Sequence, residues 1–374
     1  MCNTFGICGG CQYQDISYEE ELKLKEKEIL NLLGSYSFEY DGIETAGPLK
    51  YRNKMEYSFG DEGKDGDLAL GLRKKRSFYE VVNDRSCNIV DEDFLDILFF
   101  TQDFFRERNI DFYHKKRHTG ILRHLVIRKG HFTNELLINI VTTNYTIDEQ
   151  YYKGLAQFKP NITSVLHTIN NSLSDVVKAE ELRVLYGNDF FTEKLLGLSF
   201  KISPFAFFQT NSYGAEVLYS NVINFAEKFK AETIFDLYCG TGTIGMLLSK
   251  NAKKVIGIDI VEESIKAAIY NQQLNNINNC EFIAGDVKEV ITTIQEKPDL
   301  VILDPPREGL HKKALALIID LLPNGIIYIS CKAASLNRDL EDLQKFYTID
   351  KIKVIDMFPR TKHVETIAVL TLKK

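Results

Sequence analysis

TIFDLYCGTGTIGMLL, residues 233–248, reads as a strand, a tight turn and a helix start in immediate succession. An apolar run carrying Asp236 leads into three glycines, Gly240, Gly242 and Gly245, and then into apolar residues at helical spacing. Glycine is needed where the backbone turns through conformations that a Cβ disfavours, or approaches a ligand closely. The helix start beyond offers N–H groups that favour a negatively charged moiety. Such a turn also suits dinucleotide-binding folds, so the chain downstream has to decide.

Downstream, strand signals fall at Ile234–Tyr238, Val255–Asp259, Cys280–Ala284, Leu300–Asp304, Ile326–Ser330, Lys351–Met357 and Glu365–Leu372. Amphipathic stretches at Ile244–Lys250, Glu262–Asn275, Val287–Gln295, Lys312–Leu322 and Leu336–Phe346 separate the first six. Only Phe358–Val364 joins the last two strands, too short for a helical crossover, so they are expected to pair antiparallel. Alternating units closed by a hairpin predict an α/β fold with a Rossmann-like, seven-stranded sheet of the class I methyltransferase type. Ligands of such sheets bind beyond the carboxyl ends of the parallel strands. Asp259 ends the second strand, Asp304-Pro305-Pro306-Arg307 the fourth and Ser330-Cys331 the fifth. The last strand runs the other way, so its beginning, Glu365, belongs to the same edge. Four separated positions are therefore expected to converge on one site.

The 374 residues exceed one typical domain, and a first, α+β domain is expected over 1–199, with the sheet domain over 200–374. In the first, Ser17-Tyr18-Glu19-Glu20 looks like a capping box that opens a helix to about Leu33. Strands are expected at Met55–Gly60, Leu68–Leu72, Phe78–Val82, Leu125–Arg128 and Leu136–Val141, with a helix at Phe94–Arg108. With no apolar stretch long enough to span a membrane and no signal peptide, a soluble, cytoplasmic, monomeric protein is expected. The net charge is −6, yet Arg73–Arg76, Lys115–His118 and the trio Arg123, Arg128 and Lys129 concentrate positive charge in the first half. Such local charge suits phosphate contacts. Seven cysteines, an odd number without secretory features, argue against a disulfide framework. Cys2, Cys8 and Cys11 share one glycine-containing loop, and Cys87 could supply a fourth thiolate for a [4Fe–4S] cluster or tetrahedral zinc.

The whole set resembles the RNA uracil-C5 methyltransferases, which make 5-methyluridine in 23S rRNA and tRNA. The likeness rests on the cysteines, FFQTN (207–211), DLYCGTG (236–242), DPPREGL (304–310), SCKAASLNRDL (330–340) and FPRTKHVET (358–366). It implies a [4Fe–4S] cluster on Cys2, Cys8, Cys11 and Cys87, in a first domain that also binds RNA. It implies S-adenosylmethionine at Gln209, Tyr238, Asp259 and Asp304, with Gly240 and Asp286 completing the expected set. It implies Cys331 as nucleophile and Glu365 as base. Two departures stand out: the TRAM barrel of many members is expected to be absent, and Lys332-Ala333 follow Cys331 where Asn-Pro is more usual.

The chemistry asks for the same groups. Carbon 5 of uracil is too weakly nucleophilic to attack a methyl sulfonium, and a thiolate added at carbon 6 supplies the missing electron density. A base must then remove the carbon-5 proton. The expected substrate is 23S rRNA, with the T loop of tRNA as the alternative. An amino-methyltransferase would leave Cys331 and Glu365 idle, and a non-catalytic iron–sulfur RNA-binding protein would leave the cofactor positions idle as well.

Overall fold

The computed structural model describes residues 2–63, 66–77, 80–173 and 180–374. They form two compact units, a larger one of residues 16–47, 195–201 and 206–374, and a second running up to Asp15 and over 48–194 and 202–205.

In the larger unit the short Ile- and Val-rich runs extend as strands. They are β1 (Glu39–Thr45), β2 (Thr233–Leu237), β3 (Lys254–Asp259), β4 (Cys280–Ala284), β5 (Leu300–Leu303), β6 (Gly325–Ser330), β7 (Tyr347–Asp356) and β8 (Glu365–Leu372). Their spatial order is β1-β7-β8-β6-β5-β2-β3-β4. The strands from β2 to β6 pair in parallel, whereas β8 runs antiparallel to both its neighbours, β6 and β7. The expected hairpin forms, and the fold is the Rossmann-like class I methyltransferase fold.

The sheet has eight strands rather than the expected seven, because β1 adds in parallel to the free edge of β7. EYDGIET has no apolar alternation to mark it as a strand. Its acids instead meet the lysines of β7, with Lys351 to Glu39 at 2.9 Å and Lys353 to Glu44 at 3.3 Å. Residues 16–47 consequently group with the C-terminal sheet, which differs from a single cut at 199/200.

The helices of this unit are α1 (Tyr18–Leu33), α2 (Ser212–Glu227), α3 (Thr243–Leu248), α4 (Glu262–Leu274), α5 (Lys312–Asp320) and α6 (Ala333–Leu343). The capping box of α1 is present: the Glu20 N–H donates to the Ser17 hydroxyl, and the Ser17 N–H to the Glu20 carboxylate. Ile29 and Leu33 of α1 join Leu336, Leu340 and Leu343 of α6 in the core over the sheet. The helix expected over Val287–Gln295 is a single turn, Val287–Val290. Just beyond it Thr292 and Thr293 turn their hydroxyls onto the carbonyls of Glu289 and Val290, which competes with helix continuation.

The second unit is a seven-stranded sheet in the order Val81–Val82, Leu68–Arg73, Lys54–Asp61, Leu122–Lys129, Leu136–Thr142, Ile162–Ile169, Glu181–Gly187. Its one parallel pair, Leu136–Thr142 with Ile162–Ile169, is bridged by the helix Glu149–Phe158, as a parallel connection requires. A further helix, Glu92–Glu107, sends Phe105 against Phe59 and Tyr151, at centroid distances of 6.0 and 5.2 Å. The first two positions of the strand expected at Phe78–Val82, 78–79, lie outside the described residues. Among the described residues no helix is long and apolar enough to cross a membrane.

Candidate active site

Beyond β2 the backbone enters the left-handed region at Tyr238 (φ 66°), Gly240 (φ 54°) and Gly242 (φ 74°). At Gly242 a Cβ would come within 2.5 Å of the Phe282 ring, so no larger residue fits. Tyr238 has no such freedom, and an uncommon conformation held at a ligand-facing turn is a frequent mark of function. Carboxylates fix the turn from behind. Asp259 accepts the N–H groups of Gly240 (2.9 Å) and Val261 (2.8 Å), and Asp236 accepts that of Gly245 (2.8 Å).

In front of the turn lies a cavity of about 610 Å³. Its wall includes the expected cofactor positions Gln209, Tyr238, Gly240, Asp259 and Asp304, together with Cys331 and Glu365. Asp286 is not in that wall: it caps the single turn after β4 and pairs with Lys288 at 2.8 Å. The strand register explains the meeting of the reactive groups. Ser330 of β6 pairs with Thr366 of β8, so Cys331 and Glu365 leave the sheet side by side. Leu303 of β5 pairs with Tyr328 of β6, and Asp304 follows directly.

Electrostatics separates the residues further. Glu365 is 4% exposed, and its Oε2 has no hydrogen-bond partner among the described residues. Burial, then the neighbouring Asp304, push its carboxyl well above the ordinary range, with Arg307 acting against them. Burial also raises Asp304, to about 7, although part of its surface opens onto the cavity. Two thiols line the cavity, Cys239 and Cys331. Cys239 is raised well above its usual value by burial and by Asp236 and Asp259. Cys331 is also raised, by burial and Glu365, while the Arg307 guanidinium acts the other way and favours the thiolate. Of the two thiols, Cys331 is the one with a cation beside it that favours the thiolate.

Residues 126–374 match the family model described as tRNA (Uracil-5-)-methyltransferase. The chain belongs to this family. It is 48% identical, over its full length, to a Clostridium tetani protein described as an uncharacterized RNA methyltransferase, of which it covers 84%. A counterpart in Caldanaerobacter subterraneus subsp. tengcongensis is 51% identical over 99% of the chain and 84% of the relative. Among solved structures, the Pyrococcus abyssi tRNA (uracil-54, C5)-methyltransferase, in complex with S-adenosyl-L-homocysteine, superposes with a TM-score of 0.83 at 30% identity. That match covers 98% of this chain and 86% of the other.

This uracil-5 methyltransferase also brings Arg307 and His363 to the cavity; the sequence placed Arg307 at the fourth strand's end without a role, and did not single out His363. Both lie inside quoted motifs, DPPREGL and FPRTKHVET, and that proximity was the available signal. The loop carrying His363 toward Glu365 is held by α1. Lys25, 1% exposed at its side chain, reaches Glu21 at 2.6 Å, Asp356 at 2.9 Å and the Phe358 carbonyl at 3.4 Å. Glu21 in turn accepts the Arg360 N–H at 2.7 Å.

In the second unit the cysteines are neighbours. Cys2, Cys8 and Cys11 are buried, and the Cys87 thiol is pushed up to about 12 by burial and by those three thiols. None of the four is in a disulfide, while no group of three His, Cys, Asp or Glu among the described residues is arranged to hold a metal ion. One expected basic cluster does not form a surface. Arg123, Arg128 and Lys129 are buried, donating to the carbonyls of Asn170 and Ser203 and to Asp93 respectively. Lys74, Lys75 and Arg76 are exposed on a turn that hydrogen-bonds the cysteine loop, from the Lys75 N–H to the Ile7 carbonyl at 2.9 Å.

The cavity's charges set a pH dependence. A thiol held above its ordinary value is scarcely ionised at neutral pH, so any addition that uses the Cys331 thiolate should speed up as pH rises. Arg307→Ala removes the group that opposes this. Addition at pH 7 should then slow by about tenfold, the low end of what a nearby opposite charge does to an ionisation. The rising limb should shift to higher pH. Stopped-quench measurement of adduct formation from pH 6 to 10 checks both, and an unshifted limb would refute the role given to Arg307.

Proposed function

We propose that the chain methylates carbon 5 of a uridine in RNA, through a covalent bond from Cys331 to carbon 6, with 23S rRNA as the substrate. The observation that carries this reading is the register that sets Cys331 beside Glu365, with Asp304 at the adjacent strand end. S-adenosylmethionine, when bound, supplies an electrophilic methyl group. The residues present fit it: an open glycine turn at Gly240, an anchored carboxylate at Asp259, and acidic walls that favour a positively charged sulfonium.

The chain's own groups supply the rest. The target base must be taken out of its stack to reach a recessed thiol. The Cys331 thiolate forms a bond to carbon 6, and the electron pair of the carbon 5–carbon 6 double bond moves to carbon 5 and its conjugated carbonyl. Once carbon 5 is methylated, Glu365 takes its proton. The electron pair left behind rebuilds the double bond and expels the thiolate. A carboxyl raised by burial is a stronger base, once ionised, than an exposed one.

A second reading, the T-loop uridine of tRNA, draws support from the Pyrococcus abyssi neighbour, whose substrate is tRNA. Mass-spectrometric mapping of methyluridines in rRNA and tRNA, with and without the gene, decides between them. A methyl group lost from 23S rRNA supports the first reading, and one lost from tRNA the second. No loss from either would sink both.

The cysteine set is proposed to hold a [4Fe–4S] cluster in the second unit, which acts as the RNA-binding part. Its donor chemistry fits: four thiols outside disulfides, three of them buried, in one neighbourhood. Protein purified without oxygen is expected to be brown, with iron and sulfide in equal amounts. Cys87→Ser should lose most of the iron and lower the stability of that unit, because binding of the cluster is linked to folding. Zinc in place of iron would overturn the assignment.

A further inference from the structure

A second cavity, of about 460 Å³, adjoins the first. The two share Arg307, Cys331 and His363 in their walls. Their chemistry differs. Asp236, Asp259, Asp304 and Glu365 make the first cavity acidic. The second has Arg307, Lys332 and Lys362, all exposed, against two carboxylates, Glu28 and Glu308. Lys25 also lines it, but its charge is matched by Glu21 and Asp356.

Three further observations point to an anion. Ala333 and Ala334, the first turn of α6, line the cavity, and no side chain caps that turn, so its N–H groups favour negative charge. The Lys332 ammonium, at the N-cap position, has no ion pair among the described residues. His363, in the same wall, is held below its usual value first by burial and then by the nearby cations Arg307, Lys362 and Lys25. Lys332 and Lys362 thus lie in the second cavity alone, and Asp236, Asp259, Asp304 and Glu365 in the first alone, with Arg307 shared between them.

Resting on the reading of Cys331 as the nucleophile toward uracil carbon 6, we propose that the second cavity binds the 5′-phosphate of the target uridine, with Lys332 and the start of α6 as its anion subsite. In an anti pyrimidine nucleotide the carbon-6 edge is the one nearest its own 5′-phosphate. A thiol that reaches carbon 6 therefore has that phosphate close by, on the side where this chain gathers its cations. The contact would fix register and orientation without reading sequence.

The test uses the full-length protein and in vitro transcripts of the host's 23S rRNA and tRNA. Initial rates of 5-methyluridine formation and direct RNA binding are measured from 50 to 300 mM salt. Lys332→Ala should raise KM about tenfold, with the larger share of the loss in KM rather than kcat. Its salt slope should flatten by about one, the signature of one lost phosphate contact. Lys332→Glu should weaken binding further, and Lys332→Arg should restore most of it. A 5′-methylphosphonate at the mapped uridine of an oligonucleotide substrate should cost wild type about tenfold and Lys332→Ala under twofold. If methyluridine forms and Lys332→Ala leaves KM, binding and slope unchanged, the subsite is overturned alone. A fall in kcat with those three unchanged would make Lys332 a loop residue and also overturn it. If wild type forms no methyluridine in any transcript, the uracil reading fails, and the inference with it.

Discussion

RNA carrying 5-fluorouridine at the target position should become covalently bound to Cys331 and stay bound through denaturation. Fluorine cannot leave carbon 5 as a proton does, so addition and methylation proceed while elimination stalls. The trapped species should carry one methyl group and map to the peptide holding SCKAASL (330–336). Cys331→Ala should form no adduct and should lose turnover by about a thousandfold or more, as when a covalent nucleophile is removed. Glu365→Gln should part company with it. That variant keeps the thiol, so it should still add to ordinary uridine RNA. Removal of the carbon-5 proton should slow by about 10²–10⁴-fold, the usual worth of a positioned base. A methylated covalent complex should then accumulate that wild type resolves. Peptide mapping matters because Cys239 lines the same cavity. An adduct on Cys239, or full activity in Cys331→Ala, would refute the assignment of the nucleophile.

Lys25→Met should be among the most damaging substitutions outside the cavity that holds Cys331 and Glu365. The Lys25, Glu21 and Asp356 side chains are all 0–1% exposed, and the ammonium lies 2.6 and 2.9 Å from the two carboxylates. Removing the cation leaves two buried carboxylates facing one another, a change that typically costs about 3–5 kcal/mol. The unfolding midpoint should fall on the order of 10 °C. Lys25→Arg should lose less, since it keeps the charge. Neutralising both acids in the Met background, as Glu21→Gln and Asp356→Asn, should recover part of the midpoint, since the two buried carboxylates are then gone, though Arg360 loses its ion pair with Glu21. The functional effect follows from the third contact, to the Phe358 carbonyl at the head of the loop that ends at Glu365. Well below the midpoint, Lys25→Met should slow proton removal more than thiol addition, and covalent complex should build up as in Glu365→Gln. A midpoint within 1 °C of wild type, by differential scanning calorimetry, would show that the buried charges are not coupled as the geometry requires.

The sequence by itself determined a great deal here, because the chemistry and the local structure share short segments. The run 233–248 specified strand, turn and helix through apolar period and glycine, and Gly242 is glycine for the steric reason the pattern suggests. The brevity of Phe358–Val364 specified the antiparallel hairpin, since no crossover fits in that length. Asp259, Asp304, Cys331 and Glu365 could be assigned to one sheet edge from strand direction alone. Tertiary structure decided what direction cannot. Insertion of β8 between β6 and β7 makes Ser330 the partner of Thr366, and this turns a shared edge into adjacency of Cys331 and Glu365. It placed β1 on the sheet through ion pairs with β7 that no hydrophobic period announces. It buried Arg123, Arg128 and Lys129, which composition alone reads as surface charge. It left Asp286 outside the cavity wall, paired with Lys288. The division has one physical cause: period, turn chemistry and loop length act over a few residues and are written locally. Register between distant strands and the burial of a charge depend on partners far along the chain, which only the folded core brings together.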